Sequence, residues 1–354
     1  MNSNHRLIQK AGYPNLDLVR FFCALLIIVI HTDPLENVSE LADFYLNDVI
    51  ARVAVPVFFA ISGFLFCRGL TFENGRIART VENRRRLIRS TGKNALLYAA
   101  WSLAYLVIVL PKWYQSGWWG ISAVKDWLHS FFLIGGYFHL WFLLALILAI
   151  PALYLLLSFV PLSRVWVIAA TLWILECLTY SYAWIGIDQI PLVGFISSKM
   201  PVVFDSMLRA LPLLSIGAVL SQKRSRSAGL PAVLGAFLLC VAEASALYFF
   251  SPNNEFYSYL FATPLLAYTA LDVLVFGKQI AMPKKWQCRL RDMCLLIYCL
   301  HPMICHVCQW WGIPAGIPYW LTVTVLSVGI AYLWSELKIR FPKQKNCMID
   351  NRGG

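Results

Sequence analysis

Two ionisable residues lie inside the first apolar run of the chain, where charge is costly. Arg20 and His31 are eleven residues apart in LDLVRFFCALLIIVIHT, a rotation of about 1100°, or about 20° past three helical turns. They therefore share one helix face, about 16 Å apart along the axis. A fixed cation and a proton-exchanging imidazole indicate general acid–base chemistry. The alternative is structural, with Arg20 extending to lipid headgroups and His31 capping the helix at the opposite interface.

A basic cluster follows the second apolar run. The sequence ENRRRLIRS contains Arg85, Arg86 and Arg89. Guanidinium groups form paired hydrogen bonds with phosphate, so this cluster could hold the phosphates of a nucleotide-like donor. Anionic lipid headgroups would account for the same cluster, and the sequence leaves both interpretations open.

Further polar residues interrupt the later apolar runs. They are His139, Glu176, Asp205, Arg209, Glu243 and His301. Asp205 and Arg209 are four residues apart, which predicts an ion pair within one helix. His301 precedes Pro302, a residue at which a helix can kink. Each residue alone suits a hydrogen-bonded structural role, but together they indicate a polar cavity inside a helical bundle.

Other motifs carry less weight. Cys305, His306 and Cys308 are metal-ligand types, but a closed site normally draws ligands from more than one element, so we predict no metal. The single glycines at 63, 135, 136 and 217 are more typical of close helix packing or of loops than of a phosphate-binding loop. The sequence contains no glycine-rich phosphate motif, HExxH or GxSxG.

The elements that position these residues are predicted to be membrane helices. Of 354 residues, 59% are hydrophobic and 14% are charged, whereas about a quarter of a soluble domain is charged. This excludes a soluble enzyme and a disordered chain, and it predicts an all-α polytopic bundle of about ten transmembrane helices. Apolar runs of spanning length occupy 14–33, 48–68, 92–110, 138–158, 163–180, 204–221, 230–250, 256–276, 292–312 and 317–338. The tryptophan-rich stretch 112–137 is typical of a membrane interface.

The basic residues predict the orientation of this bundle. Most Lys and Arg residues fall in one alternating set of loops, and the first loop of the other set is acidic. Both termini are therefore predicted to be cytoplasmic. We expect one transmembrane domain over 1–338 and a polar cytoplasmic tail over 339–354. The net charge of +12 lies mainly in short loops, which argues for contact with membrane lipid and against nucleic-acid binding.

Six motifs, in order along the chain, resemble the bacterial membrane acyltransferases of acyltransferase family 3. They are Arg20 with His31, ARVAVPVFFAISGFLF with Ser62-Gly63-Phe64, Arg86-x-x-Arg89, His139-Leu-Trp-Phe142, Arg209 with Pro212 and Gly217, and Ile297-Tyr-Cys-Leu-His301-Pro302. The resemblance covers about residues 14–338. One such motif is weak, but six in this order, with ten predicted spans, are specific for the family.

The resemblance implies transfer of an acyl group, usually acetyl, from cytoplasmic acetyl-CoA or another acyl-CoA. The acceptor would be a hydroxyl of a cell-envelope glycan, such as a lipid-linked saccharide, outside a bacterial cytoplasmic membrane. His31 would be the general base or acyl relay. The implied catalytic residues are His31, Arg20, Asp205 and His139. The implied donor-binding residues are Arg20, Arg85, Arg86 and Arg89. The implied acceptor-binding residues are Ser62, Arg209, Tyr298, His301 and Glu176. A homo-oligomer is left open.

Two segments, IHTDPL and IARVAVPVFF, are also similar to the membrane domain of vancomycin-resistance serine racemases. That domain is associated with serine uptake, so transport of a small polar solute is the alternative function. Because the sequence ends soon after the last predicted span, we expect neither a racemase domain nor an appended extracytoplasmic hydrolase domain. The acyl group would then pass directly to its acceptor or to a separate partner.

Overall fold

The computed structural model describes residues 12–118, 120–186, 189–191, 193–195, 200–223, 227–251 and 259–340. These residues are predominantly helical, which confirms the predicted all-α class. The main α-helices are α1 (Pro14–Ile30), α2 (Glu40–Asp43), α3 (Ala54–Cys67), α4 (Val81–Ala104), α5 (Leu106–Gln115), α6 (Ile121–His129), α7 (Trp141–Phe159), α8 (Leu162–Thr179), α9 (Val202–Ser221), α10 (Leu230–Phe250), α11 (Thr263–Phe276), α12 (Lys284–Trp310) and α13 (Ile317–Arg340).

Short irregular elements join some of these helices. Phe44–Ile50 is a π-helix and Ala51–Val53 a 3-10 helix, and they connect α2 to α3. Strands β1 (Phe72–Glu73) and β2 (Arg76–Ile77) form an antiparallel hairpin before α4. The chain enters α7 through the 3-10 helix Phe138–Leu140.

Eight helical segments of the described chain are long and apolar enough to cross a membrane. They are Glu40–Cys67, Val81–Gln115, Ile121–Phe159, Leu162–Thr179, Val202–Ser221, Leu230–Phe250, Lys284–Trp310 and Ile317–Arg340. All ten predicted spans overlap helices, but α1 has 17 residues and α11 has 14. The count of ten is therefore not confirmed, although the polytopic bundle is.

Local chemistry explains why α1 and α11 are short. The chain turns after α1, where Asp33 adopts a φ of 40° that no helix accepts. Helix α11 begins at Thr263 with Pro264 in its first turn, a position that proline favours. The start of the predicted span 256–276 and most of the predicted tail 339–354 lie outside the described residues. The cytoplasmic position of the termini stays a prediction.

The chain divides into two compact units. The first comprises residues 1–55, 226–230 and 272–354. In this unit α1 packs along α12, and α13 packs against both helices. Leu16 and Ile28 of α1 and Ile297 of α12 are buried in its core.

The second unit comprises residues 56–225 and 231–271. Helix α9 packs against α7 and α8, and α7 also packs against α4. A Cβ atom added to Gly63 of α3 would lie 2.1 Å from the Leu214 carbonyl oxygen, and one added to Gly217 of α9 would lie 2.2 Å from the Ala60 carbonyl oxygen. The close packing predicted for these glycines is therefore confirmed, because α3 and α9 meet backbone to backbone.

Candidate functional site

Helix α1 carries Arg20 and His31 at the two ends of one stripe, and both residues are half-buried. Five residues between them are buried, and Cys23, Ala24, Ile27 and Ile28 lie on the side of Arg20, whereas Val29 does not. The four positions on this side follow Arg20 by three, four, seven and eight residues, which is the spacing of a single helix face. The structure thus places Arg20 and His31 on the same buried face, as the spacing predicts.

His31 ends α1, and its backbone N–H donates to the Ile28 carbonyl at 3.1 Å. Its ring stacks on the ring of His301 from α12, with centroids 5.2 Å apart and planes inclined by 20°. The Arg52 guanidinium interacts electrostatically with His31 and forms an ion pair with Asp48 at 2.7 Å. The His31 imidazole therefore has a second imidazole and a cation as neighbours.

Arg20 lies at the contact between α1 and α12, where the Cys294 thiol donates to the Arg20 carbonyl oxygen at 3.2 Å. Tyr298 lies on α12, three residues before His301, and is half-buried. The first unit thus brings His31 into contact with His301 and places Arg20 and Tyr298 on the same two helices. The contact between the two histidines joins residues 270 positions apart, so no local spacing could have revealed it.

The turn that follows His31 is acidic. Asp33 accepts a hydrogen bond from the Asn47 amide nitrogen. Burial, and after it the like charges of nearby carboxylates, raises the pKa of Asp33 to about 6 from an ordinary value of 3.8. Those carboxylates belong to Asp43, Glu36 and Asp48. Asp33 therefore binds its proton more tightly in the folded protein than in the unfolded chain.

Asp33→Asn should raise the free energy of unfolding at pH 7.5 by about 1–2 kcal/mol, after allowance for solvent screening. Because the Asp33 pKa is higher in the folded than in the unfolded protein, stability falls as pH rises from about 4 to 6. Asparagine cannot ionise, still accepts the Asn47 bond and tolerates a positive φ. Thermal unfolding in nanodiscs should show a larger gain at pH 7.5 than at pH 4.

The matched control for this variant is Asp126→Asn, because Asp126 is an exposed residue of α6. It should leave the unfolding midpoint unchanged at both pH values. Equal midpoints for the wild type and Asp33→Asn at pH 7.5 would contradict the prediction.

A charged cluster lies in the second unit, on α8 and α9. Arg209 Nε donates to Glu176 Oε2 at 3.1 Å, and Arg209 Nη2 donates to Asp205. The Tyr180 hydroxyl donates to Asp205 Oδ1 at 2.8 Å. The guanidinium carbon lies 4.6 Å from the Tyr180 ring centroid and 4.8 Å from that of Tyr259. The predicted pair of Asp205 with Arg209 is confirmed, and the structure adds Glu176 and two tyrosines.

His139 and Ser62, two other predicted site residues, belong to the second unit but lie outside this charged cluster. His139 is buried in the turn before α7, with its ring centroid 5.0 Å from that of Tyr105 and 5.9 Å from that of Tyr137. The Ser62 hydroxyl donates to the Phe58 carbonyl one turn earlier in α3, at 2.7 Å. The single Ser62 donor is thus used within its own helix, and its contact with an acceptor substrate stays a prediction.

The basic cluster lies on the first turns of α4 instead of in a loop. Thr80 caps this helix, since its side chain accepts from the Asn83 N–H at 3.2 Å. Arg85, Arg89 and Lys93 are exposed and four residues apart. They form one basic stripe along α4, which retains the charge and access that a phosphate ligand requires.

Arg86 bonds the end of α3, and its predicted contact with phosphate stays a prediction. Its Nε donates to the Phe66 carbonyl at 2.8 Å, and its Nη2 donates to the Leu65 carbonyl at 2.6 Å. The last carbonyls of α3 lack helical partners, and the Arg86 guanidinium supplies donors to them. Arg86 therefore secures the end of α3, while Arg85 and Arg89 remain the better candidates for phosphate.

Three further charged residues stabilise parts of the fold, and the sequence pattern singles out only Glu243 among them. Arg289 is buried and forms an ion pair with Glu336 of α13, although its basic neighbours suggest a loop. Asp272 of α11 accepts from the Ala228 N–H at 2.8 Å. Glu243 accepts from the backbone N–H groups just before α11, which fits its predicted structural role. Within the described chain, no three His, Cys, Asp or Glu residues are arranged to hold a metal ion.

Comparison with known proteins identifies the family. A family model described as an acyltransferase domain, of the acyltransferase 3 type, matches residues 13–336. The chain belongs to this family. It accordingly carries an acyltransferase domain over nearly its whole length, within a multi-pass helical membrane bundle.

The chain is also similar to larger proteins of enterococci. An amino-acid racemase of Enterococcus faecalis is 26% identical over 353 residues, which cover 93% of this chain and 47% of that protein. A serine/alanine racemase of Enterococcus gallinarum is 27% identical over 296 residues, or 81% of this chain and 40% of that protein. The chain thus spans less than half the length of these relatives, and the similarity predicted from two segments is confirmed. No solved structure matches the chain.

Proposed function

We propose that this acyltransferase moves an acyl group, most simply acetyl, from cytoplasmic acyl-CoA to a hydroxyl on the other side of the membrane. The acceptor in this proposal is a cell-envelope glycan, for example a lipid-linked saccharide, and the membrane is the bacterial cytoplasmic membrane. The observation that carries the proposal is the placement of His31, which ends the buried stripe of α1 and stacks on His301.

His31 is the proposed general base. It would take the proton of the acceptor hydroxyl as the hydroxyl oxygen attacks the thioester carbonyl of acyl-CoA. The carbon–sulfur bond then breaks, and the coenzyme A thiolate takes up the proton from the imidazolium. An imidazole nitrogen can accept a proton and return it, and a fixed ring orientation favours both transfers.

Basic residues support the donor half of the proposal. The exposed stripe of Arg85, Arg89 and Lys93 on α4 has the charge to hold coenzyme A phosphates. Arg20 provides a further cation on the α1 face that ends in His31. In the second unit, Arg209 forms ion pairs with both Glu176 and Asp205. We therefore propose that these three residues stabilise the helical bundle and do not take part in catalysis.

Replacing His31 by glutamine should lower the acyl-transfer rate by about 10²- to 10⁴-fold, because glutamine cannot carry the proton. The assay uses purified protein in lipid vesicles, labelled acetyl-CoA, and methyl β-D-glucoside as the hydroxyl probe, with hydrolysis to acetate counted as transfer to water. His129→Gln is the matched control, since His129 is an exposed residue of α6. A wild-type rate in His31→Gln would refute the role of His31.

A second candidate is transport of a small polar solute such as serine, which the resemblance to the membrane domain of serine racemases implies. The match to an amino-acid racemase of Enterococcus faecalis takes in 93% of this chain and less than half of that protein, which is consistent with such a shared membrane domain. The same vesicles distinguish the two functions. Transport predicts uptake of labelled L-serine without acyl-CoA, whereas the acyltransferase proposal predicts label transfer that depends on His31.

A further inference from the structure

His301 is fixed within α12 by a hydrogen bond that also determines its tautomer. The residue is fully buried, and its Nδ1 lies 3.0 Å from the Ile297 carbonyl oxygen. A carbonyl oxygen can only accept, so Nδ1 must carry the hydrogen of this bond. The imidazole is therefore held in one plane against the helix that bears it.

The next residue explains why α12 places a side-chain donor at this point. Pro302 lies inside α12 and has no N–H to give to the carbonyl four residues earlier, that of Tyr298. The His301 imidazole interacts with the Tyr298 carbonyl as well as with Ile297. The Nδ1 hydrogen bond itself goes to the neighbouring Ile297 carbonyl, so the ring orientation is tied to the helix one residue from the carbonyl that proline leaves without its usual donor.

The fixed ring presents its face to His31. The two rings are nearly parallel, at 20°, with centroids 5.2 Å apart, and α1 packs along α12. His31 is the cap residue of α1, with φ −106° and ψ 3°, so regular helix geometry does not define its side chain. The His301 face is a contact that restrains it, beside the Arg52 guanidinium.

We propose that His301 is a positioning residue that acts through His31 and does not bind the acceptor. This inference rests on the proposed function, since it gives the general base its orientation. It replaces the expectation that His301 contacts substrate. The flat face of His301 holds the His31 imidazole, and the bond to Ile297 holds His301.

Three variants separate the two features of His301. His301→Phe keeps a flat ring but loses the donor. His301→Asn keeps a donor for the Ile297 carbonyl but loses the ring. His301→Ala loses both. If the ring face positions His31, kcat for acyl transfer should fall about 10²-fold in the Asn and Ala variants. The Phe variant should lose much less, and the apparent KM for acetyl-CoA and methyl β-D-glucoside should stay near wild type in all three.

A second readout is independent of acyl transfer. Diethyl pyrocarbonate modifies accessible neutral imidazoles, and peptide mass spectrometry measures its rate at His31. The rate at His31 should rise several-fold in the Asn and Ala variants and stay near wild type in the Phe variant. Modification of the exposed His129 should be the same in all four proteins. If His301→Ala does not fold, His301→Asn provides the same comparison with the buried hydrogen bond retained.

The two readouts distinguish failure of this inference from failure of the proposed function. Unchanged modification of His31 in the Asn and Ala variants overturns the positioning role, whatever the activity. A raised KM for the glucoside with unchanged kcat also overturns it and returns His301 to substrate binding. Absence of acyl transfer in the wild type would defeat the proposed function, while the modification rates would still decide whether His301 holds His31.

Discussion

Replacing Arg209 with methionine should lower the free energy of unfolding by about 3–5 kcal/mol. Glu176 and Asp205 are 2% and 4% exposed, respectively, and both pair with this one guanidinium. Methionine preserves much of the side-chain volume but leaves two buried carboxylates without a cation. An uncompensated buried charge costs far more than an ion pair contributes, and this asymmetry determines the size of the effect.

The aromatic neighbours make lysine a poor substitute at this position. The guanidinium contacts the Tyr180 and Tyr259 rings with its carbon 4.6 and 4.8 Å from their centroids, and it pairs with carboxylates from two helices. A lysine ammonium is a single point charge that cannot fork to both carboxylates and stack between rings. Arg209→Lys should therefore recover only part of the stability lost in Arg209→Met.

Removing the carboxylate charges tests the cause directly. In a triple variant with Glu176→Gln, Asp205→Asn and Arg209→Met, no buried charge is left, so much of the lost stability should return. Arg164→Met is the matched control, because Arg164 is an exposed residue of α8. Equilibrium unfolding in mixed micelles measures all four proteins. Equal stability of Arg209→Met and the wild type, or no recovery in the triple variant, would contradict this account.

The charged cluster also shows how far sequence patterns reach into the site. Asp205 and Arg209 are four residues apart along the chain, and helical periodicity therefore predicts their ion pair. Glu176 belongs to another helix, and its contact with Arg209 depends on how α8 packs against α9. Hydropathy locates both helices but carries no information about which faces meet. The contact of His31 with His301 is hidden for the same reason.

The basic segment after α3 shows a second limit of prediction from hydropathy. Hydropathy detects a helix only where the helix is apolar, so the predicted span begins at residue 92, although α4 begins at Val81. The start of α4 is polar and is determined by the Thr80 cap and by Asn83, whose side chain bonds the Thr71 backbone. These are capping signals, and a search for caps would have moved Arg86 from a loop to a helix.

The contacts of Arg86 with the end of α3 follow from the position of Arg86 in a helix. A loop arginine is free to meet a ligand, but an arginine on the first turns of α4 can reach the end of α3. The hairpin of β1 and β2 returns the chain, with Asn74 and Gly75 at φ 49° and 76°, the conformations that a two-residue turn of this kind requires. Local turn chemistry thus decides which arginine of the cluster is structural.

Gly217→Ala should lower the free energy of unfolding of the second unit by about 3 kcal/mol or more. The added methyl group would lie 2.2 Å from both the Ala60 carbonyl oxygen and the Phe64 nitrogen. These atoms belong to the α3 backbone, so no change of rotamer can relieve the clash, and α3 and α9 must move apart. Helix association in lipid depends on such close packing, because no hydrophobic effect drives it.

Gly235→Ala is the control that isolates this cause. Gly235 lies inside α10, and a Cβ atom there would meet nothing within 4 Å. Alanine favours the helix by about 1 kcal/mol over glycine, so Gly235→Ala should be neutral or slightly stabilising. The gain in helix propensity is the same at Gly217. The difference between the two variants in the free energy of unfolding therefore measures the steric clash alone. Equal unfolding midpoints in mixed micelles for both variants would mean that α3 and α9 do not meet backbone to backbone.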